Sequence, residues 1–189
     1  MNLSRYVPLG VLACFPAVAF AHPGHMEQGF MAGLLHPLTG MDHLLAMLAL
    51  GIWAALQKGS LRWALPLTFL GALSLGFVMG HSGWTLPQVE TGISLSVLLL
   101  GLLVAATVRL PAFIALALAA VFALFHGYAH GLEAIGSVQS FAAGFLLASL
   151  GLHLIGVLLT LGLQKHQPVV TRILGALVAA SGALMVVAA

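Results

Sequence analysis

The feature that most constrains this sequence is the length of its apolar stretches. Six follow one another, at approximately Gly29–Leu56, Trp63–Gly80, Thr91–Thr107, Ala112–Tyr128, Ser140–Leu163 and Thr171–Ala189. A helix needs about 20 mostly apolar residues to cross the hydrocarbon layer of a bilayer, and each stretch is near that length. Charge points the same way. Asp, Glu, Lys and Arg make up 5% of the 189 residues, whereas a water-soluble domain carries about 25%. Six basic and four acidic side chains cannot cover a soluble body of 19.5 kDa, so lipid must be the main solvent. Those charges are also too few and scattered to form a nucleic-acid surface.

The expected fold is therefore an all-α membrane protein, a bundle of six transmembrane helices. The first 21 residues read as a secretory signal peptide: Arg5 in a short polar start, an apolar run from Val7 to Phe20, and Ala19-Phe20-Ala21 as a cleavage site. Cleavage after Ala21 would leave one transmembrane domain over residues 22–189 and no room for a separate soluble one. It would also remove Cys14, the only cysteine, and with it any thiolate chemistry. Lys58, Arg62, Arg109, Lys165 and Arg172 all fall in loops that six crossings place on one side. The positive-inside bias assigns that side to the cytoplasm and both mature termini to the opposite face.

Glycine pairs at i, i+4, namely Gly29/Gly33, Gly76/Gly80 and Gly127/Gly131, suit close helix packing in lipid. Pro37 is different, because it removes a helical hydrogen bond about eight residues into the first stretch and is followed by Thr39-Gly40. The first helix is expected to break near Pro37–Gly40 and restart near Met41. Broken helices at membrane depth are tolerated where they line a cavity.

Nine histidines in so uncharged a chain need an explanation. Two short segments hold most of the polar chemistry: His36-Pro37-Leu38-Thr39-Gly40-Met41-Asp42-His43, and Phe125-His126-Gly127-Tyr128-Ala129-His130-Gly131-Leu132-Glu133. On a helix that persists to Glu133, His126, His130 and Glu133 lie within roughly 60° of arc and form one stripe. Ionisable groups inside a bilayer are costly and by default functional. A divalent cation would relieve imidazole and carboxylate together, and this nitrogen and oxygen ligand set suits Ni²⁺, Co²⁺, Zn²⁺ or Cu²⁺.

Opposite chain directions bring both segments to the outer half of the bundle. In an unbroken helix starting near Gly29, His36 would lie about 10 Å and His43 about 20 Å deep. Glu90, at the outer start of the third stretch, is expected as a further ligand or an entrance carboxylate. His22 and His25, in the new N-terminus His22-Pro23-Gly24-His25, face the same side and are candidates for metal capture. His153 reads as an interhelical hydrogen-bonding group and His166 as a solvated loop residue. His81 is left unassigned, and Phe69 and Trp53 read as packing residues.

These blocks carry a resemblance. The chain resembles the HupE/UreJ family, membrane accessory proteins of nickel hydrogenase and urease systems regarded as nickel or cobalt permeases. The likeness runs through the signal-like start, His22-Pro23-Gly24-His25, the H-P-x-x-G-x-D-H block at His36–His43 and the F-H-G-x-A-H-G-x-E block at Phe125–Glu133, and it is nearest to the hydrogenase-associated branch. It implies a bacterial inner-membrane protein passing Ni²⁺, or Co²⁺, from periplasm to cytoplasm for hydrogenase maturation. The metal would be transported substrate and not a resident cofactor. His36, Asp42, His43, His130 and Glu133 are the motif positions expected to bind it, followed by His126. Nickel-handling accessory proteins or a second copy of the chain are the further partners to expect beside the ion and the bilayer.

Rival readings have weaker support. Gly80-His81-Ser82-Gly83 matches the Gly-x-Ser-Gly of rhomboid intramembrane serine proteases, but Ser82 lies at the outer interface and the reading leaves the histidine blocks unexplained. No stretch offers the paired axial histidines of a haem carrier, and no phosphate-binding loop for ATP occurs. The expectation is thus no enzyme. A metal-binding sensor without transport is the remaining alternative, which a flux assay separates from a permease.

Overall fold

A computed structural model describes residues 25–164 and 168–189. The expected signal peptide, His22 and His166 lie outside the described residues. Seven helices and no strands make up the described chain: α1 His25–Thr39, α2 Met41–Leu56, α3 Leu61–His81, α4 Val89–Ala105, α5 Ala112–Glu133, α6 Val138–Gln164 and α7 Pro168–Ala188. The turns between them are short. Backbone polar groups have no partner in lipid except inside a helix, so an apolar chain of this kind resolves into helices and little else.

The break in the first apolar stretch falls where Pro37 and Gly40 place it. Pro37 sits within the last turn of α1 and has no N–H for the Gly33 carbonyl. Gly40 is extended, with φ −86° and ψ 115°, and α2 starts at Met41. The two helices meet at 79°. This bend corrects the depth expected for an unbroken helix, since α1 runs across the end of α2 instead of continuing its axis.

α2 is the central helix. Every residue from Ala49 to Gln57 is buried, as expected of a helix that is apolar all round. Around it α6 packs against both α1 and α2, α3 against α5, and α4 against α7. Glycine sets each of these approaches. A Cβ on Gly76 would meet the Leu124 carbonyl and one on Gly127 the Leu73 carbonyl, so α3 and α5 lie side by side and run in the same direction. Gly51 and Gly156 bring α2 and α6 together in the same parallel sense, while Gly101, Gly175 and Gly182 bind α4 and α7 antiparallel. The three predicted glycine pairs all face neighbouring backbone.

Four helices are long and apolar enough to cross a membrane: α3, α5, α6 and α7. α1 and α2 pass only together, giving a fifth crossing if the bent pair counts as one, and α4 is an apolar helix just short of spanning length. By length and composition the described helices therefore offer four to five candidate crossings where the sequence reading expects six.

At one end of the bundle basic side chains close the C-terminus of α2. Arg109 Nε donates to the Leu56 carbonyl at 3.0 Å, and Arg62 to the Ala55 carbonyl at 3.4 Å. Cations there complement the negative end of the helix dipole. Trp53 Nε1 and Gln57 Nε2 both donate to the Val108 carbonyl, at 2.9 and 3.2 Å. The histidine-rich segments lie at the opposite end.

Candidate metal centre

Three helices build the site. α1 supplies His36 close to its C-terminus, α2 supplies Asp42 and His43 in its first turn, and α5 supplies His126, His130 and Glu133. α5 does persist to Glu133, so the predicted stripe exists. The bend at Gly40 swings His36 over it: His36 Nε2 lies 2.8 Å from Glu133 Oε2, and His130 Nδ1 lies 3.7 Å from the same oxygen. His36, His130 and Glu133 each offer a ligand atom, and these atoms lie within 4.8 Å of one another.

Below this group the imidazoles continue inward. His130 packs on His36 at a ring-centre distance of 4.7 Å and on His43 at 4.0 Å, and His43 packs on His126 at 4.7 Å. His43, His126 and His130 are buried, and His36 and Glu133 are open to the surface. A polar cavity of about 220 Å³ is lined by His36, Thr39, Gly40, Asp42, His43 and Glu133.

Hydrogen bonds fix which ring nitrogen keeps its lone pair. Asp42 Oδ1 accepts from the His43 backbone N–H at 2.8 Å and lies 2.9 Å from His43 Nδ1. A carboxylate can only accept, so Nδ1 carries the proton and the buried His43 Nε2, which has no partner, is free to act as a ligand. His126 follows the same logic. Ser96 Oγ spends its proton on the Ile93 carbonyl at 2.7 Å, so His126 Nε2, also 2.7 Å away, must donate to Ser96. His126 Nδ1 is left as an unpaired acceptor. Both arrangements match the usual support of a metal-binding histidine, in which the far nitrogen donates to a carboxylate or hydroxyl.

The remaining predicted residues fall elsewhere. Glu90 does not join the cluster; it is exposed at the start of α4 and lines a wider groove of about 480 Å³ with Met41, Asp42 and Ser94. Asp42 borders both cavities. His25 enters the description only as the first residue of α1. His81 is exposed at the end of α3, and Ser82 is its exposed C-cap. His153 overturns its expected role: it is buried and neither ring nitrogen has a hydrogen-bond partner. Instead its ring stands edge-on to Phe69 at 5.2 Å.

Two contributors escaped sequence reasoning. Ser96 looks like one of several small polar residues in α4, and only the pairing of α4 with α5 puts it on His126. Phe145, buried on α6, packs 4.0 Å from the His130 ring, and nothing in its neighbourhood along the chain signals this.

The described helices make a multi-pass membrane protein whose polar interior is a cluster of histidines and carboxylates shared among three helices, a nitrogen and oxygen donor set of the kind that suits a divalent metal. The HupE / UreJ protein family matches residues 10–185, and the chain belongs to that family. Protein HupE of Rhizobium leguminosarum bv. viciae is 40% identical over 190 residues, covering 99% of this chain and 100% of the relative. No solved structure matches. The family is one of transport or accessory proteins associated with nickel handling for hydrogenase and urease, and the chain is not an enzyme.

Proposed function

We propose that this chain is an inner-membrane permease carrying Ni²⁺, or Co²⁺, from the periplasm to the cytoplasm for hydrogenase maturation. The observation that carries the reading is the meeting of His36 from α1 with His130 and Glu133 from α5, ligand atoms within 4.8 Å, at the mouth of a cavity that Asp42 and His43 continue. Two further donors, His43 Nε2 and His126 Nδ1, lie inward of that mouth, and the Asp42 carboxylate borders it. An ion can exchange water for protein ligands in steps, and no single step strips it bare.

Six crossings complete the reading, with the bent α1–α2 pair as the first and α4 as a short one. At 1.5 Å per residue α4 is about 25 Å long, enough for a locally thinned bilayer. Arg62, Arg109 and Arg172 then mark the cytoplasmic end, and the metal centre and both mature termini face the periplasm after signal-peptide removal. Glu90 serves as the entrance carboxylate, and His22 and His25 as capture groups. A membrane potential that is negative inside favours inward movement of a divalent cation.

The test is uptake of radiolabelled nickel into proteoliposomes holding the purified chain, compared with His130→Ala and Glu133→Gln. Loss of uptake in both variants is expected. Wild-type uptake in both would refute the site, and metal binding without uptake by the wild type would make the protein a sensor.

A further inference from the structure

Among the described residues, His153 is the one histidine buried in the bundle that the metal centre does not use. It lies on the face of α6 that also carries Phe145 and Ser149, spaced at i−8 and i−4, and all three are buried. Phe145 touches the His130 ring at the top of that face. Eight residues of helix separate it from His153, about 12 Å further toward the basic end. Gly51 of α2 packs directly on the His153 backbone and fixes this depth. Phe69 of α3 packs against both His126, at 6.2 Å, and His153, at 5.2 Å. A single aromatic ring thus links the innermost histidine of the centre to a further imidazole beneath it.

A structural histidine among membrane helices makes an interhelical hydrogen bond. His153 makes none at either nitrogen, so its burial costs desolvation with no return, and Phe or Leu would fill the space without that cost. Ser149, one turn above, has given its proton to the Phe145 carbonyl at 2.9 Å and keeps oxygen lone pairs. One imidazole and one hydroxyl oxygen on a helix face make a weak, incomplete ligand set. A permeating ion needs a station of that kind, since a site on a conduction path must bind well enough to be entered and poorly enough to be left.

We propose that His153 is a transit ligand, holding the divalent ion after it leaves His126 and before it reaches the basic end. This rests on the permease reading, and the experiment separates the two. Full-length protein in proteoliposomes is assayed for Co²⁺ binding, by the absorption spectrum of the bound ion, and for Co²⁺ flux. His153→Phe should bind as the wild type does, melt at the same temperature or higher, and lose about tenfold or more of its flux. Wild-type flux in His153→Phe overturns the proposal and leaves the permease intact. Loss of both binding and flux also overturns it, because His153 would then support the outer centre. Should His153→Phe fail to reach the membrane, His153→Gln decides by the same criteria. A wild type that binds Co²⁺ without flux refutes the permease, and the transit ligand with it.

Discussion

Asp42 affords the sharpest test of how the centre works, because its geometry assigns it two separable jobs. Its Oδ1 orients His43 through Nδ1 at 2.9 Å, and its charge contributes to the cavity that His36 and Glu133 share. Asp42→Asn keeps an oxygen that can accept from Nδ1–H but removes the charge; Asp42→Ala removes both. Loss of a carboxylate that orients a metal-binding histidine costs about 10- to 100-fold in metal affinity, or about 1.4–2.8 kcal/mol. Asp42→Ala should fall near the upper end of this range and Asp42→Asn near the lower. If Asp42 acts through His43, the double variant Asp42→Ala/His43→Ala binds no more weakly than His43→Ala alone, since neighbours in one network are not additive. The assay is equilibrium binding of Ni²⁺ to purified protein, with melting temperature as the control. That control matters because Asp42 also favours the N-terminus of α2 by about 0.3–1 kcal/mol. Wild-type affinity in Asp42→Ala would refute the orienting role. Full additivity in the double variant would make Asp42 a ligand in its own right.

Three further outcomes follow from the same structure. Gly127→Ala places a methyl group against the Leu73 carbonyl and should destabilise the protein by about 1–3 kcal/mol, whereas Gly151→Ala, where a Cβ meets nothing within 4 Å, should leave the melting temperature unchanged or raise it. Ser96→Ala strips the hydroxyl from His126 Nε2 and should lower nickel uptake by about tenfold; Ser96→Thr should restore it, and full uptake in Ser96→Ala would refute the supporting role. Uptake should fall as the external medium is made acidic, because a protonated ring has no lone pair and cannot bind metal; uptake that stays constant down to strongly acid pH at constant membrane potential would count against histidine ligation.

Local chemistry made part of this architecture readable. Pro37 cannot donate and Gly40 carries no side chain, so a break between them follows from the chain itself; the 79° direction of the bend does not. That angle depends on Gly40 ψ and on the seat α6 offers to α1, where Phe30 and Phe141 backbone lie against Gly144 and Gly33. His36 was legible as a ligand candidate, yet its place above Glu133 was legible only in part. Depth counted along a straight helix would have put it beside other residues. Likewise the i, i+4 glycines announced close packing without naming partners, since a small-residue stripe fits any stripe of matching shape. The parallel pairing of α3 with α5 is a tertiary choice.

His153 and Glu90 show why residue type and position in the chain are insufficient to assign a role. His153 lies within an apolar stretch and Glu90 at the start of one, and both can bind metal by chemistry, yet the fold sends Glu90 to an exposed groove and His153 into the core without a partner. What separates them is the identity of the helix each faces: the mouth between α2, α4 and α7 for Glu90, and the α2–α3 side of α6 for His153. An ion entering along Glu90 and Asp42 would meet progressively drier surroundings, from exposed carboxylate to half-open His36 to buried His43, His130 and His126. Loss of hydration must be matched at each step by donor atoms already aimed at the path. The free nitrogens of His43 and His126 are held by Asp42 and Ser96 in the tautomers that such a descent requires.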